Sequence, residues 1–233
     1  MNKPKAILFD YGETIIKHTG IDPVAGSLEM LKYTENNNIS AKEFQNKANE
    51  LIKELLEKSD ISMVEWSCAS IYRYLLEYFD INLSVSLRKA EEIFYHAAHE
   101  SFYMTEGFFD FIDFLDFLDS NEIRKAIISN TSFQEETLRS VLRKFGLNDR
   151  FEFVMTSCDY GYRKPDAKLF ELGARKLKIN AKDIWYIGDM FEYDVKGAIA
   201  AGMTPVLYSP DKKAEDENYL TVSSWTELMQ VIG

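Results

Sequence analysis

Asp10, Ser129, Lys164, Asp189 and Asp194 are the residues of this chain whose types and spacing point to shared chemistry. Each follows a short apolar run or lies in a loop between two such runs. Residues 6–9 lead into Asp10-Tyr11-Gly12-Glu13-Thr14, and residues 126–128 into Ser129-Asn130-Thr131. A run over residues 151–155 leads to the loop Arg163-Lys164-Pro165-Asp166. Residues 184–187 lead into Gly188-Asp189, with Glu192 and Asp194 just beyond. Three carboxylates drawn into one crevice repel one another unless a cation lies between them. Hard oxygen donors with open water positions suit magnesium. The metal and Lys164 then clamp the oxygens of a phosphoryl group, and Ser129 with nearby backbone amides adds hydrogen bonds. Asp10 is the candidate nucleophile. A carboxylate of reference pKa about 3.9 is already anionic at neutral pH and needs no partner base, and aspartyl phosphates are an established covalent intermediate.

Taken singly, each residue has a plainer reading. Asp10 serves as a turn residue, Asp189 as a helix N-cap, and Glu192 and Asp194 as complements to a helix N-terminus. Asp166 reads as a cap for the helix after Pro165. The shared site is favoured only because the groups fall at successive strand ends.

The elements that must position these groups follow from hydrophobic pattern. The runs 6–9, 126–128, 151–155, 184–187 and 205–208 are short and apolar nearly throughout, as in strands buried on both faces of a parallel sheet. Helical spacing separates them from the second run onward. Phe108, Phe111, Leu115 and Leu118 precede that run; Leu138, Val141, Leu142 and Phe145 follow it up to Gly146. Leu169, Phe170, Leu172, Gly173 and Leu177 make the next helix, and Val195, Ala198 and Ile199 the next, stopped by Gly202. This alternation predicts an α/β fold, a doubly wound Rossmann-like parallel sheet, whose ligands bind beyond the C-terminal strand ends.

One crossover is too long. Well over a hundred residues separate the first strand from the second, far more than a plain crossover needs, and residues 17–102 read as a subdomain of their own. Their pattern is helical, through Leu51, Leu55 and Leu56, then Ile71, Tyr74, Leu75 and Tyr78, then Ile93, Ala97 and Ala98. No proline follows Pro23 and no glycine follows Gly26 within it. The expected organisation is a core of residues 1–16 and 103–233 carrying a helical cap over 17–102.

Composition narrows the function. The 233 residues carry a formal charge of −11, which disfavours a nucleic acid or an anionic membrane as partner. Two cysteines give neither a disulfide framework nor zinc-ligand spacing, so a reducing, cytoplasmic setting is the default. No apolar run is long enough for a secretory signal or a membrane span. A monomer is the default for oligomeric state. The aromatic stretch Phe108, Phe109, Phe111, Phe114 and Phe117 reads as core, with Asp110, Asp113, Asp116 and Asp119 as a solvated face. His96 and His99 lack an evident third metal ligand and read as surface or cap-lining residues. Trp66, Trp185 and Trp225 read as packing, and residues 211–217 as a surface loop.

The segments Ile7-Leu8-Phe9-Asp10 through Thr14, Ile127-Ile128-Ser129-Asn130, Lys164-Pro165-Asp166 and Gly188-Asp189 through Asp194 resemble the four motifs of the haloacid dehalogenase-like superfamily. The likeness covers nearly the whole chain, and the helical insert resembles that family's cap. It implies that Asp10 attacks phosphorus. It implies that the Asp10 carboxylate, the Gly12 carbonyl and Asp189 ligate magnesium, with Asp194 a direct or water-mediated ligand. It also implies that Ser129 and Lys164 hold the phosphoryl group and that Asn130 binds substrate or orients its loop. The implied substrate is a small phosphorylated metabolite.

The chain departs from the pattern at Gly12. Most phosphatases of the superfamily carry a second aspartate there, which protonates the leaving alcohol and then activates water. Such help is typically worth about 10²–10⁴-fold. Three readings stand: Glu13 or a cap residue such as His18 substitutes, the substrate has a good leaving group, or turnover is slow or absent. The last makes the chain a non-catalytic phospho-ligand binder. Two related branches also lack that aspartate. Metal-free haloacid dehalogenases lack the Gly188-Asp189 pair, and a phosphonate-cleaving branch uses a cap lysine, for which Lys17, Lys32, Lys42, Lys47, Lys53, Lys58 and Lys89 are available.

Overall fold

The structure is a computed structural model that describes residues 2–36, 38–104, 108–210 and 219–233. The expected loop at 211–217 lies outside the described residues. Strand β1 (Ala6–Phe9) is buried at every position. Its alternation feeds two cores. Ile7 and Phe9 face one layer of helices, with Phe111, Phe114 and Trp225. Ala6 and Leu8 face the other, with Leu169, Phe170 and Tyr186. A strand covered on both sides needs apolar residues throughout, which is why its sequence does not alternate.

After β1 the chain forms a short strand β2 (Ile16–His18) and four helices, α1 (Pro23–Leu31), α2 (Ala41–Ser62), α3 (Cys68–Tyr78) and α4 (Leu87–Ala98). Asp22, Ser40, Ser67 and Ser86 cap these helices, each side chain accepting a backbone N–H from the first turn. They enclose a core of their own around Phe44, Tyr72, Leu75 and Phe94. Gly26 lets α1 approach α4: a Cβ there would lie 2.7 Å from the Phe94 ring. Strand β3 (Phe102–Met104) returns antiparallel to β2, so Lys17 and Phe102, the expected edges of the insert, both fall inside this two-stranded ribbon. Three-residue strands with polar members carry no period to read, and the sequence reasoning missed both.

The remainder is α5 (Phe108–Ser120), β4 (Arg124–Ser129), α6 (Glu135–Lys144), β5 (Val154–Thr156), α7 (Ser157–Tyr160), α8 (Ala167–Leu177), β6 (Ile184–Gly188), α9 (Lys196–Ala200), β7 (Thr204–Tyr208), β8 (Leu220–Val222) and α10 (Trp225–Ile232). Among the described residues the sheet has six strands in the order β5-β4-β1-β6-β7-β8, all parallel. The doubly wound α/β fold is as expected. β8 was missed because Thr221 breaks an already short run. β5 begins three residues later than the expected 151, although the backbone before it already meets β4, the Glu152 N–H donating to the Lys125 carbonyl and the Ile127 N–H to the Phe153 carbonyl.

The aromatic stretch of α5 is core only in part: Phe111 and Phe114 face inward and Phe117 packs against them half-buried, whereas Phe109, expected in the core, is 78% exposed because it falls on the same helix face as Asp113 and Asp116. Phe111 and Phe114 are fully buried, and both pack on Trp225. On its outer face Asp116 and Asp119 bind Arg150, and Asp119 also pairs with Lys125. No helix among the described residues is long and apolar enough to cross a membrane.

Candidate active site

The chain order reverses at β1. From β1 it winds to β4 and β5 on one side, then crosses to β6, β7 and β8 on the other. Ligands of such sheets bind at this switch point, beyond the C-terminal strand ends. Asp10 leaves β1 there, with its N–H bonded to the Ile187 carbonyl of β6 at 2.8 Å. Ser129 closes β4 and Asp189 follows β6. These three strands are direct neighbours, so the three residues meet by register alone.

Asp194 arrives by a different device. The turn over Phe191–Val195 is wide: the Lys196 N–H bonds back five residues to the Phe191 carbonyl. Wide turns of this type are frequent at functional sites. The Asp194 carboxylate accepts the Met190 N–H at 2.9 Å and fills the space over Gly188, where a Cβ would lie 2.2 Å from its Cγ. Gly188 is therefore required by the carboxylate six residues later.

Asp10, Asp189 and Asp194 each place an oxygen within 4.8 Å of the others. Lys164, carried by the loop after α7, reaches them from below. Its Nζ donates to Asp10 Oδ1 at 2.6 Å, to Asp194 Oδ1 at 2.6 Å and to Tyr186 Oη at 3.0 Å. All three ammonium protons are thus used. Tyr186 passes its own proton to the Ile128 carbonyl at 3.1 Å. Thr14 Oγ1 links the carboxylates, 3.1 Å from Asp189 Oδ1 and 3.4 Å from Asp10 Oδ2.

Asp10, Asp194 and Lys164 are all under 10% exposed, so their charges are poorly solvated. Burial pushes the Asp10 carboxyl up to about 7; Lys164 opposes the shift, while Asp194 and Asp189 add to it. Asp189 is raised by burial and by Asp194. For Lys164, burial works against the charge, but Asp10 and Asp194 outweigh it and hold the ammonium well above its ordinary range. Three carboxylates face one lysine, an excess of two negative charges. One divalent cation cancels that excess, and the donors are the hard oxygens that magnesium takes. The residues present fit such an ion. The backbone next to Gly12 is held by the bonds from Glu13 N–H to the Ile16 carbonyl and from Ile16 N–H to the Tyr11 carbonyl.

Asn130 does something the sequence reasoning did not resolve. Its side-chain oxygen accepts the Lys164 N–H at 2.7 Å and its amide donates to the Lys164 carbonyl at 3.0 Å. Both ends of the amide are spent on fixing the lysine's backbone. Ser129 is buried at the mouth of the site. Glu13 also lines the site but is solvent-exposed, in the left-handed conformation (φ 57°). Asp166 is the N-cap of α8, bonded to the Lys168 N–H at 2.9 Å. The three carboxylates, Lys164, Ser129 and Glu13, but not Asp166, border a cavity of about 260 Å³.

A second cavity, of about 180 Å³, adjoins it through Gly12, Ser129 and Asn130. His18 and His99 line this one. His96, on α4, instead contacts α6, its Nε2 2.7 Å from Ser140 Oγ and its Nδ1 2.8 Å from Lys144 Nζ. The helical insert grips the loops that carry the site. Met63 accepts the Arg163 N–H at 3.0 Å, and the Glu65 carboxylate takes Ser157 Oγ at 2.7 Å and pairs with Arg163. Glu91 of α4 accepts the Gln134 N–H and Thr137 Oγ1 at the start of α6. Tyr186, Thr14, Glu65 and Glu91 were not assigned these parts from sequence. Tyr186 hides in an apolar strand, and the two glutamates act across distances in the chain that no spacing encodes.

The family model of haloacid dehalogenase-like hydrolases matches residues 4–202. The chain belongs to this family and is a hydrolase of it. It is 25% identical over 218 residues to 5-amino-6-(5-phospho-D-ribitylamino)uracil phosphatase YigB of Escherichia coli (strain K12), covering 91% of this chain and 86% of that one. It is 32% identical over 95 residues to the glyceraldehyde 3-phosphate phosphatase of Methanocaldococcus jannaschii, covering 39% and 42%. In fold it is similar to a HAD phosphatase from Thermococcus onnurineus, with TM-score 0.62 and 23% identity over 100% of this chain and 98% of that one. A 2-haloacid dehalogenase from Pseudomonas syringae pv. Tomato DC3000 is equally similar in fold, with TM-score 0.65, 20% identity and coverage of 100% and 98%.

Proposed function

We propose that the protein is a magnesium-dependent phosphohydrolase that acts on a small phosphorylated metabolite through an aspartyl-phosphate intermediate. The observation that carries this reading is the cluster of buried Asp10 and Asp194, both paired with Lys164, and half-buried Asp189, with its excess of two negative charges. Asp10, the Gly12 carbonyl, Asp189 and Asp194 would hold magnesium. When bound, the ion supplies charge stabilisation to the phosphoryl oxygens. Asp10 attacks phosphorus, and the ester oxygen leaves. Lys164 orients Asp10 and gives up one of its three hydrogen bonds to a phosphoryl oxygen. Ser129 donates a further hydrogen bond. Asn130 acts through Lys164, by holding its peptide. Water then cleaves the acyl phosphate and regenerates the carboxylate.

Residues 17–102 act as a cap that walls off the site and selects the substrate, and the enzyme works as a soluble cytoplasmic protein. Excluding water strengthens each charge interaction inside such a site. Metal-free dehalogenation is served poorly by the same cluster, because its excess negative charge repels a carboxylate substrate. The relatives named as phosphatases support the phosphoryl reading.

The test is phosphate release from a panel of phosphomonoesters and acyl phosphates, with magnesium and with chelator. Wild type is run beside Asp10→Asn. Release that needs magnesium and vanishes in the variant is the expected result. A fully active Asp10→Asn protein refutes the covalent mechanism, and halide release in chelator refutes the phosphoryl reading.

A further inference from the structure

The 180 Å³ cavity differs in kind from the carboxylate site beside it. Its walls include Tyr11, His18, Tyr95, His99, Phe102 and Phe133, and among the described residues no Asp, Glu, Lys or Arg lines it. The rings form a connected set, with centroids 4.6 Å apart for His18 and His99, 4.2 Å for Tyr95 and His99, and 4.6 Å for Tyr95 and Phe133. Burial pulls the His99 imidazole below its ordinary value. Its Nδ1 lies 2.7 Å from the Tyr95 carbonyl, which fixes the ring. Two polar atoms on these walls are left over: Tyr11 Oη and His18 Nδ1 are buried without a hydrogen-bond partner. Such atoms are uncommon in folded proteins and call for an explanation.

The walls limit what fits. Among the described residues of the wall a second phosphate, a carboxylate or an ammonium finds no carboxylate, ammonium or guanidinium to pair with. A cavity of about 150 Å³ accepts a benzene ring, so this one takes a single ring and little more. Aromatic walls meet such a ring by edge and face contacts. A ring hydroxyl or the ester oxygen then serves Tyr11 and His18.

Gly12 is an independent second observation. It stands on the boundary of the two cavities, and a Cβ there would meet nothing within 4 Å. No side chain at that position protonates a departing alkoxide. A phenol, with a pKa of about 10 like that of tyrosine, departs as phenoxide without such help; an alkanol is a far poorer leaving group.

Given the phosphohydrolase reading, on which this rests, we infer that the substrate is a phosphate monoester of a single-ring phenol. Its ring sits among Tyr95, His99 and Phe102, and its phosphoryl group lies at Asp10. The Asp10–phosphorus bond forms as the bond from phosphorus to the phenolic oxygen breaks. The phenoxide leaves with the electron pair and takes its proton from solvent. Water then hydrolyses the aspartyl phosphate to carboxylate and inorganic phosphate.

The test compares phenyl, benzyl, ethyl and acetyl phosphate with the magnesium-loaded enzyme. Benzyl phosphate carries the ring but leaves as an alkoxide; acetyl phosphate leaves readily but has no ring. The expected result is a kcat/KM for phenyl phosphate at least about a hundredfold above ethyl phosphate, with benzyl phosphate sharing the low KM but not the kcat. Phe102→Leu and His18→Leu are each expected to lower the ratio of phenyl to acetyl phosphate kcat/KM by about five- to tenfold. That ratio is insensitive to partial loss of folded protein. Equal values for phenyl and ethyl phosphate, or a ratio unmoved by both variants, overturn the inference while acetyl phosphate hydrolysis keeps the phosphohydrolase reading. Failure to hydrolyse acetyl phosphate as well as the esters overturns both.

Discussion

Magnesium and protons should compete for Asp10, and the competition has a calculable slope. Without the ion, burial and the neighbouring carboxylates hold Asp10 at about 7. Magnesium takes only the carboxylate, so its apparent dissociation constant scales as one plus the ratio of protonated to ionised Asp10. That factor is about 11 at pH 6, about 2 at pH 7 and about 1.1 at pH 8. Binding should therefore weaken about tenfold between pH 8 and pH 6. Calorimetric titration in buffers of different ionisation enthalpy should show release of about 0.9 proton at pH 6, about half at pH 7 and about 0.1 at pH 8.

Stability gives the same sign independently. The folded-state pKa of Asp10 lies above its unfolded value of 3.8, so its contribution is fully present below about 4 and is lost as pH rises towards 7. The metal-free protein should lose stability across that window, and magnesium should raise Tm more at pH 8 than at pH 6. Asp10→Asn should flatten the pH dependence of binding and weaken it throughout. Equal magnesium affinity at pH 6 and pH 8, with no proton released at either, would refute the placement of Asp10 among the ligands.

Lys164→Met should cut turnover by about 10²–10³-fold, since it removes a preorganised donor at the developing charge; stopped assays at saturating magnesium measure this. Gly188→Ala places a Cβ 2.2 Å from Asp194 Cγ and must displace that carboxylate. Overpacking of this kind costs about 1–3 kcal/mol, to be read in urea denaturation together with weaker magnesium binding. Gly12→Asp has open space for its side chain. It should raise hydrolysis of alkyl phosphates about 10- to 100-fold, within the range of general acid–base help; an unchanged rate would show that the acid role is not vacant.

Much of the site was legible in the chain because it is built on parallel strands. A strand buried on both faces announces itself as an apolar run, and the residue that ends the run is where a ligand meets the sheet. Asp10, Ser129 and Asp189 follow from that logic, and their strands are neighbours. Lys164 and Asp194 were legible as types at a spacing, since a lysine and a further carboxylate fit the charge chemistry. Their positions were not legible. The wide turn at 191–195 sets Asp194 against Gly188, and Asn130 sets Lys164.

The sequence by itself determined the doubly wound sheet, the existence of a helical insert and the residues whose types suit metal and phosphoryl chemistry. These depend on local pattern: apolar runs, helical spacing and polar residues at strand ends. Only the tertiary structure decided what surrounds them. Tyr186 takes the third proton of Lys164 from inside an apolar strand. Tyr11, His18, Tyr95, His99, Phe102 and Phe133 come from five separate parts of the chain and line one aromatic cavity. No period or motif links those positions. They meet because the β2–β3 ribbon and α4 fold back over the strand ends, and a cavity between packed elements is a property of their arrangement in space.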